Sequence, residues 1–314
     1  MRVLFLNHPE ADYGEYFLYN GLCEAVGAEN VVDYPHKRSY HGETHVYPTL
    51  YDGKPTRGPD AATDALIQKG YGVTAPYDFT VARPGRAWTE EEVADKLASG
   101  YFDLTVIGPR KQSLAAFERL KVSGLALPRP VMHDGEDYSS LPTPDFFAAR
   151  GIRICLKREL LPGVAVDGVR LLPFPFSTCL LAPPEPLPTE WDVQFSVGLT
   201  HEVRAAVYEK LTDPALALRL HLVRTDWRGY MLALRQSRLA VCPRGFGWDT
   251  VRRWEAPSCT LGIIQALGIR DEHPLINGEH ALLWDDPEQV SGLIRRYLDD
   301  DAGRERIFRQ GQAH

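Results

Sequence analysis

The 314-residue sequence predicts an α/β protein of two Rossmann-like domains facing each other across a cleft. Three observations carry this. Short apolar runs of strand length alternate with helix-length stretches through most of the chain, the pattern of parallel sheets. The length suits two domains of roughly 150 residues, each large enough to bury a core. A Pro-rich segment over 182–188 (APPEPLP) is extended, stiff and without apolar period, which makes it the natural linker between a domain over 1–182 and one over 189–314.

The first domain opens with the apolar run 1–7 (MRVLFLN), a buried strand. The polar loop after it carries His8 and Asp12, and a loop at the carboxyl end of a first parallel strand faces the crevice where such sheets bind ligands. Both are candidate general bases; a capped helix start with solvated carboxylates is the other reading. Residues 34–88 are rich in Pro, Gly, Tyr and His with little period, and suit either loop packing or an aromatic surface that stacks on sugars. His41 and His45 are four apart there, but flanking Pro argues against a metal-binding helix. Regularity returns with a Thr-capped helix over 89–98, a strand over 104–108, a helix over 113–122 and a strand over 130–133. The last strand runs into HDGEDYS, where Asp134 and Glu136 could act as base or hold hydroxyl groups, or simply make a polar turn. A strand over 152–157 carries Lys157 and Arg158 at its exit, whose charges could face phosphates across the cleft or make a surface ion pair with Glu159.

The second domain opens with a strand over 193–197 and the turn Gly198-Leu199-Thr200-His201, a glycine-bearing βα turn at which an anion can meet a helix start. After a strand over 218–223 and a helix over 230–237 comes the stretch around which the chain is organised, 239–264 (LAVCPRGFGWDTVRRWEAPSCTLGII). It reads as a strand, a turn holding Arg244, Gly245 and Gly247, a helix from about Asp249 to Pro257, and a second strand over 261–264. Glycines admit a ligand close to the backbone, the helix start offers N–H groups, and Arg244 and Arg252 add charge-assisted bonds to a phosphate. Glu255, three residues beyond Arg252 on the same face, is suited to accept hydrogen bonds from sugar hydroxyls. A strand over 281–284 and a helix over 287–298 follow; the terminal stretch 303–314 is expected to be able to return to the first domain.

The run CPRGFGWDTVRRWEA followed by GII resembles the nucleotide-sugar-binding element of GT-B glycosyltransferases, nearest to the bacterial spore-maturation-type branch and more distantly to exostosins. INGEHALLWDDPEQVSGLIRRYLDDDAGRERI, HDGEDYS, LKREL, LLPFPFS and WDVQFSVGLTHEVR also resemble that branch, so that the likeness covers most of 130–314. It implies a GT-B fold and glycosyl transfer from a nucleotide-diphosphate sugar to an acceptor hydroxyl. Glu255 would accept from the ribose hydroxyls and Arg244 and Arg252 would bind the diphosphate, with Gly198, His201, Gly245, Gly247, Asp249 and Lys157 as further donor-side candidates. The sequence departs from the retaining enzymes' E-G-F-G turn, because Arg244 stands where their first Glu contacts the donor sugar; Thr260 and Gly262 replace the usual Gly and Pro farther on.

With arginines and a helix start aimed at the departing diphosphate and no D-x-D in a diphosphate-holding context, the expectation is a metal-independent transferase with no cofactor. The acidic run Asp299 to Asp301 reads as a solvated helix tail. A nucleotide-sugar epimerase and a non-catalytic nucleotide or sugar sensor are the alternatives. The net charge of -7 argues against nonspecific nucleic-acid binding. Five dispersed cysteines without a C-x-x-C pair read as reduced, buried thiols. With no signal peptide and no eighteen-residue apolar run, a cytoplasmic protein without a transmembrane segment is expected.

Overall fold

The computed structural model describes residues 1–8, 13–41, 85–108, 110–176, 187–224 and 227–314. They fall into two compact units that divide after Pro175. The expected linker lies almost wholly outside the described residues.

The first unit is a six-stranded sheet built from β1 (Val3–Leu6), β2 (Val31–Tyr34), β3 (Leu104–Ile107), β4 (Pro130–Asp134), β5 (Ile154–Lys157) and β6 (Arg170–Pro173). The order is β2-β1-β3-β4-β5-β6 and every pairing is parallel. Side-chain alternation splits β1 between the two faces. Leu4 and Leu6 join a buried cluster with Val93 and Leu97 of α2 (Glu90–Ala98), Phe117 and Leu120 of α3 (Lys111–Val122) and Phe147 of α4 (Pro144–Arg150). Phe5 packs edge-on against Tyr19 of α1 (Tyr13–Val26), and Tyr19 stacks on Tyr40 at 4.1 Å. Helix α2 starts where the sequence places it, because Thr89 and Glu92 form a reciprocal capping box.

The second unit is a five-stranded parallel sheet of β7 (Trp191–Gln194), β8 (Leu220–His221), β9 (Ser237–Cys242), β10 (Leu261–Gln265) and β11 (Leu282–Trp284), in the order β11-β10-β9-β7-β8. Along β9, Leu239 and Val241 face α5 (Glu202–Leu211) and α8 (Glu288–Leu298), while Ala240 and Cys242 face α6 (Trp227–Arg235) and α7 (Arg252–Cys259). A strand covered on both faces needs a continuous apolar run, which is why 239–242 stands out in the sequence.

The terminal stretch expected to be able to return to the first domain forms α9 (Asp301–Ala313), which packs within the second unit on α7 and β10. Gln312 donates to the Ser258 carbonyl, and Gly311 lies so close to the His280 carbonyl that a Cβ would sit 2.1 Å from its oxygen. The run Asp299 to Asp301 is therefore a junction between helices, with the Asp300 carboxylate capping the Gly303 N–H. The four described cysteines are free and buried; burial pushes the thiols of Cys155, Cys242 and Cys259 up to about 12. Cys179 lies outside the described residues. No helix among the described residues is long and apolar enough to cross a membrane.

This packing predicts opposite outcomes for two helical glycines. Gly311→Ala should destabilise the second unit by about 1–3 kcal/mol through overpacking, whereas Gly292→Ala, with open space around the added methyl, should be neutral or stabilising by up to about 1 kcal/mol. Urea unfolding of the two variants beside the parent checks both signs.

Candidate functional site

In each unit the strand order reverses beside the first strand. In the second unit, β7 leads outward to β8 on one side and β9 to β10 on the other, so the loops leaving β7 and β9 diverge and open a crevice at their carboxyl ends. The residues of 239–264 singled out in the sequence lie on one of these loops, and Gly198 and His201 on the other.

The two loops are tied together by Arg204, which is 7% exposed in the first turn of α5. Its Nε donates to the Arg244 carbonyl at 2.7 Å, and one terminal nitrogen donates to the Gly198 carbonyl at 2.9 Å and to Thr200 Oγ1 at 3.2 Å. Gly245 leaves room for this contact. It has no left-handed φ, but a Cβ there would meet the Arg204 guanidinium at 3.0 Å. The Gly245 N–H bonds the Gly247 carbonyl at 3.0 Å, closing the turn on itself. The Arg244 N–H donates to Gln265 Oε1 at the end of β10, and its guanidinium lies 4.0 Å over the Trp248 ring.

His201 is the N-cap of α5: its Nδ1 accepts the Val203 N–H at 3.2 Å, which leaves Nε2 as the protonated nitrogen of a neutral ring. Desolvation and then the nearby Arg244 hold its pKa below the ordinary histidine value. Arg252 reaches the Ser196 carbonyl at the end of β7 and lies 5.5 Å over the Tyr230 ring. Glu255 is buried at 7% exposure on the same helix, and its charge, after burial, helps push the Tyr230 phenol well above its ordinary pKa. The Asp249 carboxylate accepts the Phe176 N–H, so it is a loop anchor and not a helix cap.

One expectation is corrected here. The helix begins at Arg252 rather than near Asp249, and the N–H groups of Arg253, Trp254 and Glu255 already bond the carbonyls of Thr250 and Val251. The tight turn has taken up two of the donors, the N–H groups of Arg253 and Trp254, that an open helix start would have presented to an anion. Positive charge at this crevice therefore comes from side chains: Arg204, Arg244, Arg252, and Arg224, whose guanidinium lies near Gly198. Arg204 is legible in the sequence only as a residue of the helix after the glycine-bearing turn, and Arg224 does not stand out, because it lies outside those turns and only the fold brings it to the crevice.

In the first unit the reversal falls between β1 and β3. His8 leaves β1 there, fully buried, with Nε2 3.3 Å from Glu15 Oε2. The same carboxylate oxygen is 3.4 Å from Lys37 Nζ. Gly108, just past β3, admits Glu15, because a Cβ there would lie 2.3 Å from Glu15 Oε1. Asp12 lies outside the described residues. Asp134 and Glu136 sit two strands away, at the end of β4, lining a cavity of about 280 Å³ with Tyr138, Leu141, Phe146 and Lys157. Both oxygens of Asp134 are engaged: Oδ2 by Lys157 at 2.9 Å and Oδ1 by the Glu136 N–H at 3.2 Å. Glu136 pairs with Arg110 at 2.8 Å. Lys157 is thus a buried partner of Asp134 within the first unit and not part of a surface ion pair. Arg158 pairs with Glu159, but both are buried, and Arg158 also pairs with Asp137.

Comparison with solved structures gives the fold its class. A trehalose-6-phosphate synthase, studied with bisubstrate glycomimetics for glycosyl transfer with retention, superposes with a TM-score of 0.50 at 12% identity over 99% of this chain and 94% of its own. The fold is GT-B. Two further structures superpose less well: Anabaena HepE in complex with UDP-glucose, at TM-score 0.49 and 12% identity over 100% of this chain and 94% of that one, and a UDP-N-acetylglucosamine 2-epimerase homologue from Listeria monocytogenes, at 0.44 and 13% over 98% and 91%. No family model matches the sequence, and no curated protein does.

Two outcomes follow from this geometry. Arg204→Ala should destabilise by about 1–3 kcal/mol, since it removes the side-chain donors that tie the two loops and leaves the Arg244 carbonyl without its partner; chemical denaturation reads it. His201 has a folded pKa below its unfolded value of about 6.5, so protons bind the unfolded chain more tightly. Its contribution to stability is full above that pH and lost as pH falls through it. His201→Gln should flatten this part of a stability-against-pH curve.

Proposed function

We propose that this chain is a glycosyltransferase that moves a sugar from a nucleotide-diphosphate sugar to an acceptor hydroxyl. The observation that carries the reading is the convergence of Arg204, Arg244 and Arg252 with His201 on the two diverging loops of the second unit, in a chain of net charge -7. Arginines gathered in an acidic protein mark an anion site, and a buried carboxylate behind them, Glu255, suits the hydroxyls of a ribose. The second unit is the donor side and the first the acceptor side.

In the transfer the acceptor oxygen bonds to the anomeric carbon as the bond from that carbon to the diphosphate oxygen breaks. Negative charge grows on the leaving oxygen, where Arg244 and Arg252 stabilise it without a metal ion. The acceptor proton passes to a base, for which His8 is the candidate. Glu15 would fix its ring and stabilise the imidazolium, with Lys37 Nζ 3.4 Å from the same carboxylate oxygen. Asp134 and Glu136, already paired with cations, are better suited to orient hydroxyls at the neighbouring cavity.

Thermal shift with UDP, GDP, dTDP, ADP and CMP in the absence of metal tests the donor site. One diphosphate at 100 times its dissociation constant should stabilise the protein by about 2.7 kcal/mol. Arg252→Ala and Glu255→Ala should abolish the shift while keeping the fold. Turnover of the matching nucleotide sugar should release diphosphate only with an acceptor present; epimerised donor, or binding without turnover, would replace the transferase reading.

A further inference from the structure

We propose that the cavity at the carboxyl ends of β4 and β5 binds a neutral aryl alcohol, with the hydroxyl held between Lys157 and Asp134 and the ring against Leu114, Met132, Leu141 and Phe146. The binding does not rest on the transferase reading. The parallel register sets Lys157 of β5 beside Asp134 of β4. Met132, two residues before Asp134, falls on the same face of that strand. Leu114 of α3 and Phe146 of α4 line the same cavity. The charged pair is part of the protein interior, with Lys157 0% and Asp134 4% exposed. Among the described residues Lys157 Nζ donates to Asp134 Oδ2 at 2.9 Å, and Asp134 Oδ1 accepts the Glu136 N–H at 3.2 Å. An ammonium carries more than one donor and each carboxylate oxygen more than one lone pair, so both groups keep hydrogen-bonding capacity at the cavity they line.

A hydroxyl is the group that fits this pair, because its oxygen accepts from Lys157 while its O–H donates to Asp134. Charge is already balanced: Asp134 is paired with Lys157 and Glu136 with Arg110. A ligand's own carboxylate or ammonium therefore gains no net counter-charge. The apolar wall disfavours a sugar, since a buried polyol would turn hydroxyls toward Leu114, Met132, Leu141 and Phe146, which offer them no partner. An aromatic ring suits that wall, because the Met132 thioether and the Phe146 ring both make favourable contacts with rings. The cavity of about 280 Å³ lies just below the range of about 300–1,000 Å³ that holds drug-sized ligands, so a compact ring fits and a long acyl chain does not. Tyr138, 67% exposed, and the exposed Ser140 mark the open side. In a transferase this hydroxyl would orient the acceptor and a second one would react, because His8 leaves β1, two strands and about 10 Å from β4.

The test is ligand-observed NMR titration of the full-length protein, without nucleotide, using 4-ethylphenol, ethylbenzene, 4-ethylbenzoate and glucose as probes. The expected result is saturable binding of 4-ethylphenol, with ethylbenzene weaker by at least about 10-fold for want of the charge-assisted hydrogen bonds. The benzoate and glucose should show no binding over the same concentrations. The double variant Lys157→Met with Asp134→Leu replaces a buried ion pair by apolar side chains, an exchange that proteins commonly tolerate. It should bind 4-ethylphenol and ethylbenzene alike. Leu141→Trp, at a half-buried wall position, fills the cavity from its edge and should abolish binding of both; it keeps the test decisive if the double variant does not fold. Absence of saturable 4-ethylphenol binding to the parent overturns the proposal, as does equal binding of ethylbenzene or glucose. A hydroxyl preference that survives in the folded double variant, or binding that survives in folded Leu141→Trp, overturns it too.

Discussion

The arrangement of the second unit depends on one buried guanidinium. Two loops that leave adjacent strands in opposite directions have no backbone ladder to hold them together. Arg204 supplies several donors from a planar fork and satisfies Gly198, Thr200 and Arg244 at once. The loop that carries Arg244 is thereby held against the loop that carries His201, and Gly245 exists to let the fork approach. An arginine used in this way is structural and electrostatic together, because its charge remains at the crevice after its hydrogen bonds are made.

The first unit solves the same topological problem with the opposite charge. Glu15 occupies the reversal between β1 and β3, admitted by Gly108 as Arg204 is by Gly245, and it gathers His8 and Lys37. A carboxylate that orients a histidine suits proton removal, whereas a cluster of arginines suits an anion. The two sheets thus have closely related strand orders but present complementary chemistry at their reversals.

Most of the second unit's framework was legible in the sequence. The run 239–242 is apolar because β9 is covered on both faces; in the first unit, Thr89 with Glu92 announces a helix start through a purely local pair of hydrogen bonds. The elements that were not legible lack such signals. Helix α1 has Tyr, Gly and Asn through its length and takes its stability from the aromatic contacts of Tyr16 and Tyr19. The start of α7 was placed too early because a turn and a first helical turn share the same residue preferences, and only hydrogen bonding separates them.

For the site, the sequence by itself determined the kinds of group and their loops: arginines beside glycines after β9, a histidine after β1, and a histidine at the head of α5. These follow from local rules, since a glycine-bearing turn after a buried strand has the same meaning wherever it occurs. Tertiary structure alone decided which of those groups meet. Asp134 is matched to Lys157 across two strands, Arg204 to Arg244 across 40 positions, and Asp33 to His41 through a strand and a turn. Pairings of that kind depend on strand order, and strand order is set by how whole helices cover a sheet, which no local stretch of sequence records.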